Sequence, residues 1–320
     1  MQSRTVLAAV AVGAVLLAGC ASTPLSLAGA DPASPHVKPF ALEVGGQQAT
    51  GLLGVPAQAP TTLVVLGHPW MTDSHVFSAD LQRLADRGVL AVALDYRGAG
   101  DDFKVKAGAE DTVAATLALQ AAYPSIDRTL LYGWSMGGEA AFLAVAAAPP
   151  GTFDYVFDGA GVTDLEAFWH AFVAGRPAIE RETGGPPTQV PDAYRERSPV
   201  HRVPDLVGKG VSRYFVVHAA GDSPVPVEQA ERLYSALSDA GLPVSYYVVT
   251  VDQEPLVCTP VVTVCVQSPP KGIANHEAGG PRLMDPFLQH RIERLPDPAA
   301  EAVRGTYDGD SGTYDPSDVG

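Results

Sequence analysis

The ten residues Thr129-Leu130-Leu131-Tyr132-Gly133-Trp134-Ser135-Met136-Gly137-Gly138 constrain the fold of this chain more than any other stretch. An apolar run of strand character stops at Gly133 and an alanine-rich helical segment begins just after Met136, so Ser135 stands on the hinge between a strand and a helix. The glycines of Gly133-Trp134-Ser135-Met136-Gly137 have a steric task, because so sharp a turn crowds the neighbours of the serine and leaves no room for a Cβ. Such a turn lifts Ser135 Oγ out of the sheet at a helix N-terminus, where unpaired N–H groups favour developing negative charge. The expectation is an activated nucleophile on an α/β fold.

Strand and helix patterns alternate around the hinge. Residues 62–66 form a continuous apolar run of the kind buried on both faces of a parallel sheet. An amphipathic helix over 78–86, a strand over 89–94 and a helix over 109–122 that Pro124 stops come next. Beyond the hinge the pattern predicts a helix over 138–148, strands over 155–157, 214–217 and 244–250, and helices over 227–240 and 281–294. Strands separated by helices imply right-handed crossovers and a mostly parallel sheet covered on both sides. Residues 41–44 and 51–55, separated by Gly45-Gly46-Gln47-Gln48, read as an antiparallel hairpin at the sheet edge. Residues 163–209 break the alternation: Leu165, Phe168, Trp169, Phe172 and Val173 share a helical face, and the loop-like Thr183-Gly184-Gly185-Pro186-Pro187 follows. That is too long for a simple connection and predicts a small insertion over the sheet, either a lid or an enlarged crossover packed at the rim.

The length, 320 residues, suits one large α/β domain. A formal net charge of -15 argues against nucleic acid or an anionic membrane surface as the working partner, since either would repel it. At the N-terminus Arg4 precedes an apolar run over 6–17 that is too short to span a bilayer. It ends in Leu17-Ala18-Gly19-Cys20, which resembles a bacterial lipoprotein signal whose cleavage leaves Cys20 as the lipid-bearing first residue. A plain secretory signal cleaved near Ala28 or Ala30 is the alternative, and either reading makes the protein exported. The expected organisation is a signal peptide over 1–19, a tether over 20–39, a hydrolase-type domain over 40–296 and a disordered acidic tail over 297–320 that repeats Gly-Thr-Tyr-Asp. Cys258 and Cys265 are the remaining cysteines, in a compartment that permits a disulfide. One extended strand between them would hold their Cα atoms roughly 20 Å apart, so bridging requires a turn, for which Thr259-Pro260 is suited.

Several motifs occur in a fixed order: Gly67-His68-Pro69-Trp70, Asp95-Tyr96-Arg97-Gly98-Ala99-Gly100, the nucleophile hinge, Ser198-Pro199, and His218-Ala219-Ala220-Gly221-Asp222-Ser223-Pro224-Val225-Pro226. Over residues 41–295 the chain resembles the α/β-hydrolase family, and within it the bacterial dienelactone-hydrolase and prolyl-oligopeptidase-like serine hydrolases. The resemblance implies a nucleophile, acid and base in that order, each in a loop at the carboxyl end of its strand. Asp222 takes the acid position, with Asp158 one strand earlier as the alternative. His276 takes the base position in the loop before the closing helix, in preference to His290 within that helix. Here the chain departs from the family, because a segment carrying both Cys258 and Cys265 precedes the histidine. One oxyanion donor is the N–H of Met136. The second falls to Trp70, since Pro69 has no N–H to give. His68 is expected to be structural, and Asp95 and Arg97 to hold their own turn in place. No histidine or cysteine spacing suits a metal, and Gly98-Ala99-Gly100 does not make a phosphate loop, so neither metal nor cofactor is expected.

The expected function is an exported, lipid-anchored serine hydrolase that cleaves an ester through an acyl-enzyme, with a small molecule or short peptide as substrate. Ester is placed ahead of peptide because no propeller domain, the size filter of prolyl oligopeptidases, precedes the hydrolase residues. A serine peptidase or aminoacyl hydrolase of prolyl-oligopeptidase type is the first alternative. A non-catalytic binding protein that kept the fold is the second, and the survival of nucleophile, acid and base in order speaks against it.

Overall fold

A computed structural model describes residues 36–98, 102–250, 276, 304–308 and 313–315. The hairpin forms first, from β1 (Val37–Val44) and β2 (Gln47–Gly54), and its turn is the two-residue Gly45-Gly46 with φ of 58° and 79° rather than a four-residue loop. Two central residues with positive φ match the twist of the strands, which only glycine-like residues supply cheaply. β1 reaches back into the expected tether: Val37 and Phe40 are buried, and Pro39 sits exposed on an edge strand where its missing N–H costs no ladder bond.

The alternating units follow as β3 (Thr62–Gly67), α1 (Ser78–Asp86), β4 (Leu90–Leu94), α2 (Val105–Ala122), β5 (Arg128–Trp134), α3 (Met136–Ala147) and β6 (Tyr155–Gly159). After a helical stretch come β7 (Arg213–Ala219), α8 (Glu228–Asp239) and β8 (Val244–Thr250). Two further strands, β9 (Arg304–Asp308) and β10 (Thr313–Asp315), bring the sheet to ten strands among the described residues, ordered β1-β2-β4-β3-β5-β6-β7-β8-β9-β10. Strands β4, β3, β5, β6, β7, β8 and β9 run parallel, whereas β1, β2 and β10 pair antiparallel. The mostly parallel α/β-hydrolase fold expected from the sequence is the one observed.

Within the tail expected to be disordered over 297–320, the described residues 304–308 and 313–315 are strands. Its two Gly-Thr-Tyr-Asp copies face each other, Tyr314 opposite Tyr307, and β9 lies along β8. A composition that cannot build a core can still extend a sheet, because the ladder is made by main-chain groups and threonine and tyrosine favour the extended chain.

Alternation along the strands separates two cores. Leu63, Val65, Val92, Leu131, Val156 and Val216 pack beneath α2, α3 and α8, and Val64, Leu66, Tyr132, Phe157 and Val217 pack on the opposite face with Leu81 and Leu84 of α1. The closing helix expected over 281–294 lies outside the described residues, as do Cys20, Cys258, Cys265 and His290.

The insertion comprises α4 (Leu165–Ala171), α5 (Arg176–Thr183), α6 (Pro191–Arg197) and α7 (Pro199–Leu206). α4 ends before Phe172, but the Phe172 ring still stacks on Phe168 at 5.3 Å and packs against the core, so of the five expected face residues only Val173, 63 % exposed, departs from it. Buried polar ties fasten the insertion to the domain. Gln229 of α8 accepts from the N–H groups of Thr163 and Asp164 at 2.8 and 2.7 Å, and within the insertion Leu165 N donates to Ser198 Oγ at 2.9 Å.

Asp95 and Arg97 do more than hold their own turn. Asp95 accepts from Thr50 Oγ1 at 2.8 Å and Ser74 N at 3.0 Å, while Arg97 reaches Val44 O at 3.0 Å, Glu110 at 2.6 Å and the buried Asp111. The turn after β4 thereby ties the hairpin to α2.

Candidate active site

Ser135 links β5 directly to α3, with φ 57° and ψ -120°. A non-glycine residue holds such a backbone only where its surroundings over-determine it. Packing supplies that force: a Cβ on Gly133 would overlap the Gly137 carbonyl, and one on Gly137 would overlap the carbonyl of Gly67 in β3. The steric task assigned to these glycines is therefore real, and α3 approaches the ends of β3 and β5 closely because of it. Ser135 N donates to Gly159 O at 2.9 Å, which locks the elbow to the end of β6.

The strain is not confined to the serine. The non-glycine residues with positive φ among those described are Met71, Tyr96, Ser135 and Ala160, and they follow β3, β4, β5 and β6 respectively. All lie in loops at the carboxyl ends of adjacent parallel strands, where ligands bind in open α/β sheets. Strain collected along one edge in this way points to function at that edge.

Asp222 lies in the loop after β7 and is buried. Its Oδ1 accepts from Val225 N at 3.0 Å, and its Oδ2 accepts from His276 Nδ1 at 2.7 Å. Because Nδ1 donates, Nε2 of a neutral His276 carries the lone pair, which is the tautomer a general base needs. Burial would lift the Asp222 carboxyl, but hydrogen bonds from His218 and His276 outweigh it and hold the group below the ordinary carboxylate range. The His276 ring tilts against Trp134, the residue before the serine, with centroids 5.8 Å apart. Ser135, Asp222 and His276, far apart in sequence, thus gather at one edge of the sheet.

Asp158, the alternative acid, ends up elsewhere. It is buried at the end of β6, and neither of its carboxylate oxygens has a hydrogen-bond partner of normal geometry among the described residues. Burial pushes its pKa up to about 7 against the pull of His218 and the Gly161 N–H. The His276 contact belongs to Asp222.

Met136 is the first residue of α3, so its N–H is one that no preceding turn can bond. Trp70 follows β3, and its ring meets Phe103 and Phe172 edge-on at 6.4 and 6.1 Å, which seats the loop that carries the second expected donor. His68 is buried and stacked on Tyr96 at 4.4 Å, and its Nδ1 lies 2.8 Å from Pro69 O. Burial depresses its pKa, as suits a neutral packing residue. Among the described residues no group of three or more His, Cys, Asp or Glu side chains could hold a metal ion.

Two residues escaped the sequence reading. His218, fully buried on β7, contacts Asp222, and Glu139 is buried in α3 one turn beyond the nucleophile. His218 opens the quoted acid motif, four residues before Asp222, and that spacing was the available signal. Nothing in the sequence around Glu139 marks it.

Comparison with known proteins finds similarity to peptidases. The prolyl oligopeptidase family matches residues 75–254. Dipeptidyl aminopeptidase BIII of Pseudoxanthomonas mexicana is 26% identical over 216 residues, 59% of this chain and 30% of that protein. The uncharacterized peptidase YtmA of Bacillus subtilis is 28% identical over 173 residues, 52% of this chain and 65% of its own. The chain therefore spans less than two thirds of either relative. The fold is shared with dipeptidyl peptidase 4 of Porphyromonas gingivalis at a TM-score of 0.59 and 16% identity, covering 85% of this chain and 35% of that one. It is shared also with the acylaminoacyl peptidase of Pyrococcus horikoshii, at a TM-score of 0.56 and 19% identity, covering 67% and 37%.

Proposed function

Because the chain belongs to the prolyl oligopeptidase family, we propose that it is a serine peptidase that cleaves an amide bond of a short peptide or aminoacyl compound through an acyl-enzyme on Ser135. The observation that carries the proposal is the 2.7 Å contact from His276 Nδ1 to the buried Asp222 carboxylate, at the strand ends where the Ser135 elbow also lies. In this reading Ser135 Oγ attacks the scissile carbonyl and His276 Nε2 takes its proton. Asp222 stabilises the imidazolium that results. The carbonyl oxygen, now an oxyanion, is met by the N–H groups of Met136 and Trp70. His276 then returns the proton to the leaving amine, and water attacks the acyl-enzyme by the same route.

The ordering of substrates reverses the expectation from the sequence, which put ester first. The names of the relatives favour amide cleavage, and an acyl-enzyme able to form from an amide also forms from an ester. The deciding experiment compares kcat/KM over matched aminoacyl and dipeptidyl p-nitroanilides and p-nitrophenyl esters, alongside fluorophosphonate labelling of Ser135. Ser135→Ala should abolish labelling and lower kcat by on the order of 10⁴ or more. Turnover kept by the alanine variant would sink the nucleophile assignment, and esterase activity without measurable amidase activity would return the substrate class to esters.

A further inference from the structure

Asp222 Oδ2 is shared. His276 Nδ1 reaches it at 2.7 Å, and His218 Nε2 lies 3.4 Å from the same oxygen with both side chains fully buried. His218 Nε2 is also 2.7 Å from Val225 O. A carbonyl can only accept, so Nε2 of His218 must carry a proton. The second nitrogen, Nδ1, is buried with no hydrogen-bond partner among the described residues.

A second carboxylate stands near this histidine. Asp158 of β6 is aligned with Val216 of β7, two residues before His218, so the two side chains point to the same face of neighbouring strands. The Asp158 carboxyl is wedged between α3 and the loop after β6, its Oδ1 filling the space that a Cβ on Gly138 or Gly161 would need. His218 is thereby a buried imidazole in contact with Asp222, with Asp158 on the same face of the neighbouring strand but not hydrogen-bonded to it.

We propose that His218 is a positioning residue that shares Asp222 Oδ2 with His276 and, as a cation held by Asp222, sets how strong a base His276 is. The inference rests on Ser135, Asp222 and His276 acting as the triad. A cation beside Asp222 draws on the charge that Asp222 would otherwise offer to the imidazolium of His276, so it keeps His276 neutral to lower pH. Burial works to strip His218 of its proton, but Asp222 first, then the Val225 carbonyl and Asp158, outweigh it and raise its pKa. Among the described residues, the other titratable groups that bear on the pair are few. Tyr132 of β5 interacts with Asp158, and Glu139 of α3 interacts instead with Glu182 and Arg197.

The test is the pH dependence of fluorophosphonate labelling of Ser135 in wild type, His218→Gln, Asp158→Asn and the double variant. Glutamine keeps an N–H donor for Val225 O without the charge. Loss of the cation should move the acidic limb of the labelling rate up by about 0.5 to 1 pH unit in His218→Gln. The move in Asp158→Asn should be smaller and in the same direction, and the double variant should match His218→Gln. An unmoved limb in His218→Gln overturns the proposal. So does a downward move in Asp158→Asn, which would mean that Asp158 acts directly on His276. Should the variants fail to fold, nitrogen NMR of wild-type His218 decides: both ring nitrogens protonated at pH 7 upholds the proposal, and a neutral ring ends it. Failure of the triad reading looks different, since wild-type Ser135 would then not label at any pH.

Discussion

Replacing Asp222 by asparagine changes one atom and separates the two candidate acids. In the wild type Oδ1 accepts the Val225 N–H at 3.0 Å and Oδ2 accepts the His276 Nδ1–H at 2.7 Å. An asparagine has one acceptor and one donor, so it cannot serve both. If its oxygen stays on Val225, its NH₂ faces the His276 Nδ1–H, and the imidazole must move its proton to Nε2. That tautomer has no lone pair aimed at the serine, a fault that costs on the order of 10⁴ in kcat, or about 5 kcal/mol of barrier. If the amide turns over, His276 is served but a donor is buried against the Val225 N–H, which costs about 1 to 3 kcal/mol of stability. The first orientation is expected to dominate, because the Val225 contact is local and fixes the loop, whereas the tautomer of a histidine can change without moving a heavy atom. The assay is the second-order rate of fluorophosphonate labelling together with kcat/KM on the best amide substrate, with urea midpoints run in parallel. Asp222→Asn should lose roughly four orders of magnitude with a small change in midpoint, while Asp158→Asn stays within about tenfold at its optimal pH. The reasoning is refuted if Asp222→Asn keeps activity within tenfold and Asp158→Asn does not.

Three further outcomes are expected. Glu139 is fully buried, and burial, with the charge of Glu182 adding and Arg197 opposing, holds its carboxyl well above the ordinary value. The unfolded chain ionises this group first, so its contribution is complete below about pH 4 and is lost as pH rises toward the folded pKa. The urea midpoint of Glu139→Gln should therefore gain on wild type between pH 5 and pH 8, and a relative loss over that range would contradict the burial argument. Gly137→Ala places a methyl into the Gly67 carbonyl, so it should cost about 1 to 3 kcal/mol or more in stability and slow Ser135 labelling; wild-type values for both would show that the elbow has slack. Cys20→Ala should release the full-length protein from the membrane fraction if Cys20 carries the lipid anchor, and continued firm attachment with a mature N-terminus near Ala30 would favour a plain signal.

What the sequence made legible follows from how local each feature is. The elbow could be read because steric necessity writes it into five consecutive residues, and Asp222 because its motif sits within the loop after β7. Strand 244–250 matched residue for residue, since an apolar β-branched run between turns has few alternatives. Boundaries failed where polar residues join strands. Gln47 and Gln48 read as loop but are exposed residues at the mouth of a hairpin, and residues 304–308 and 313–315 are held by a ladder that composition does not report. Asp95 and Arg97 looked local because their partners Thr50, Ser74 and Asp111 come from other elements. His218 was visible as a letter in a motif and invisible as a neighbour of Asp158, because that neighbourhood is made by pairing β6 with β7.

The same distinction explains where the strain lies. Nothing in the residue types of Tyr96 or Ala160 announces a positive φ, yet both adopt one, as Ser135 does, at the ends of consecutive strands. Each is held there by a neighbour: Ala160 N donates to Val217 O at 2.8 Å, Ser135 N donates to Gly159 O at 2.9 Å, and the buried Tyr96 ring is stacked on His68. The loops are thus coupled in series across the sheet from β4 to β7. Ser135 on such an edge is positioned by the whole row, so relaxing one member with Tyr96→Gly should loosen the elbow, just as crowding it with Gly137→Ala should distort it, without touching Asp222 or His276.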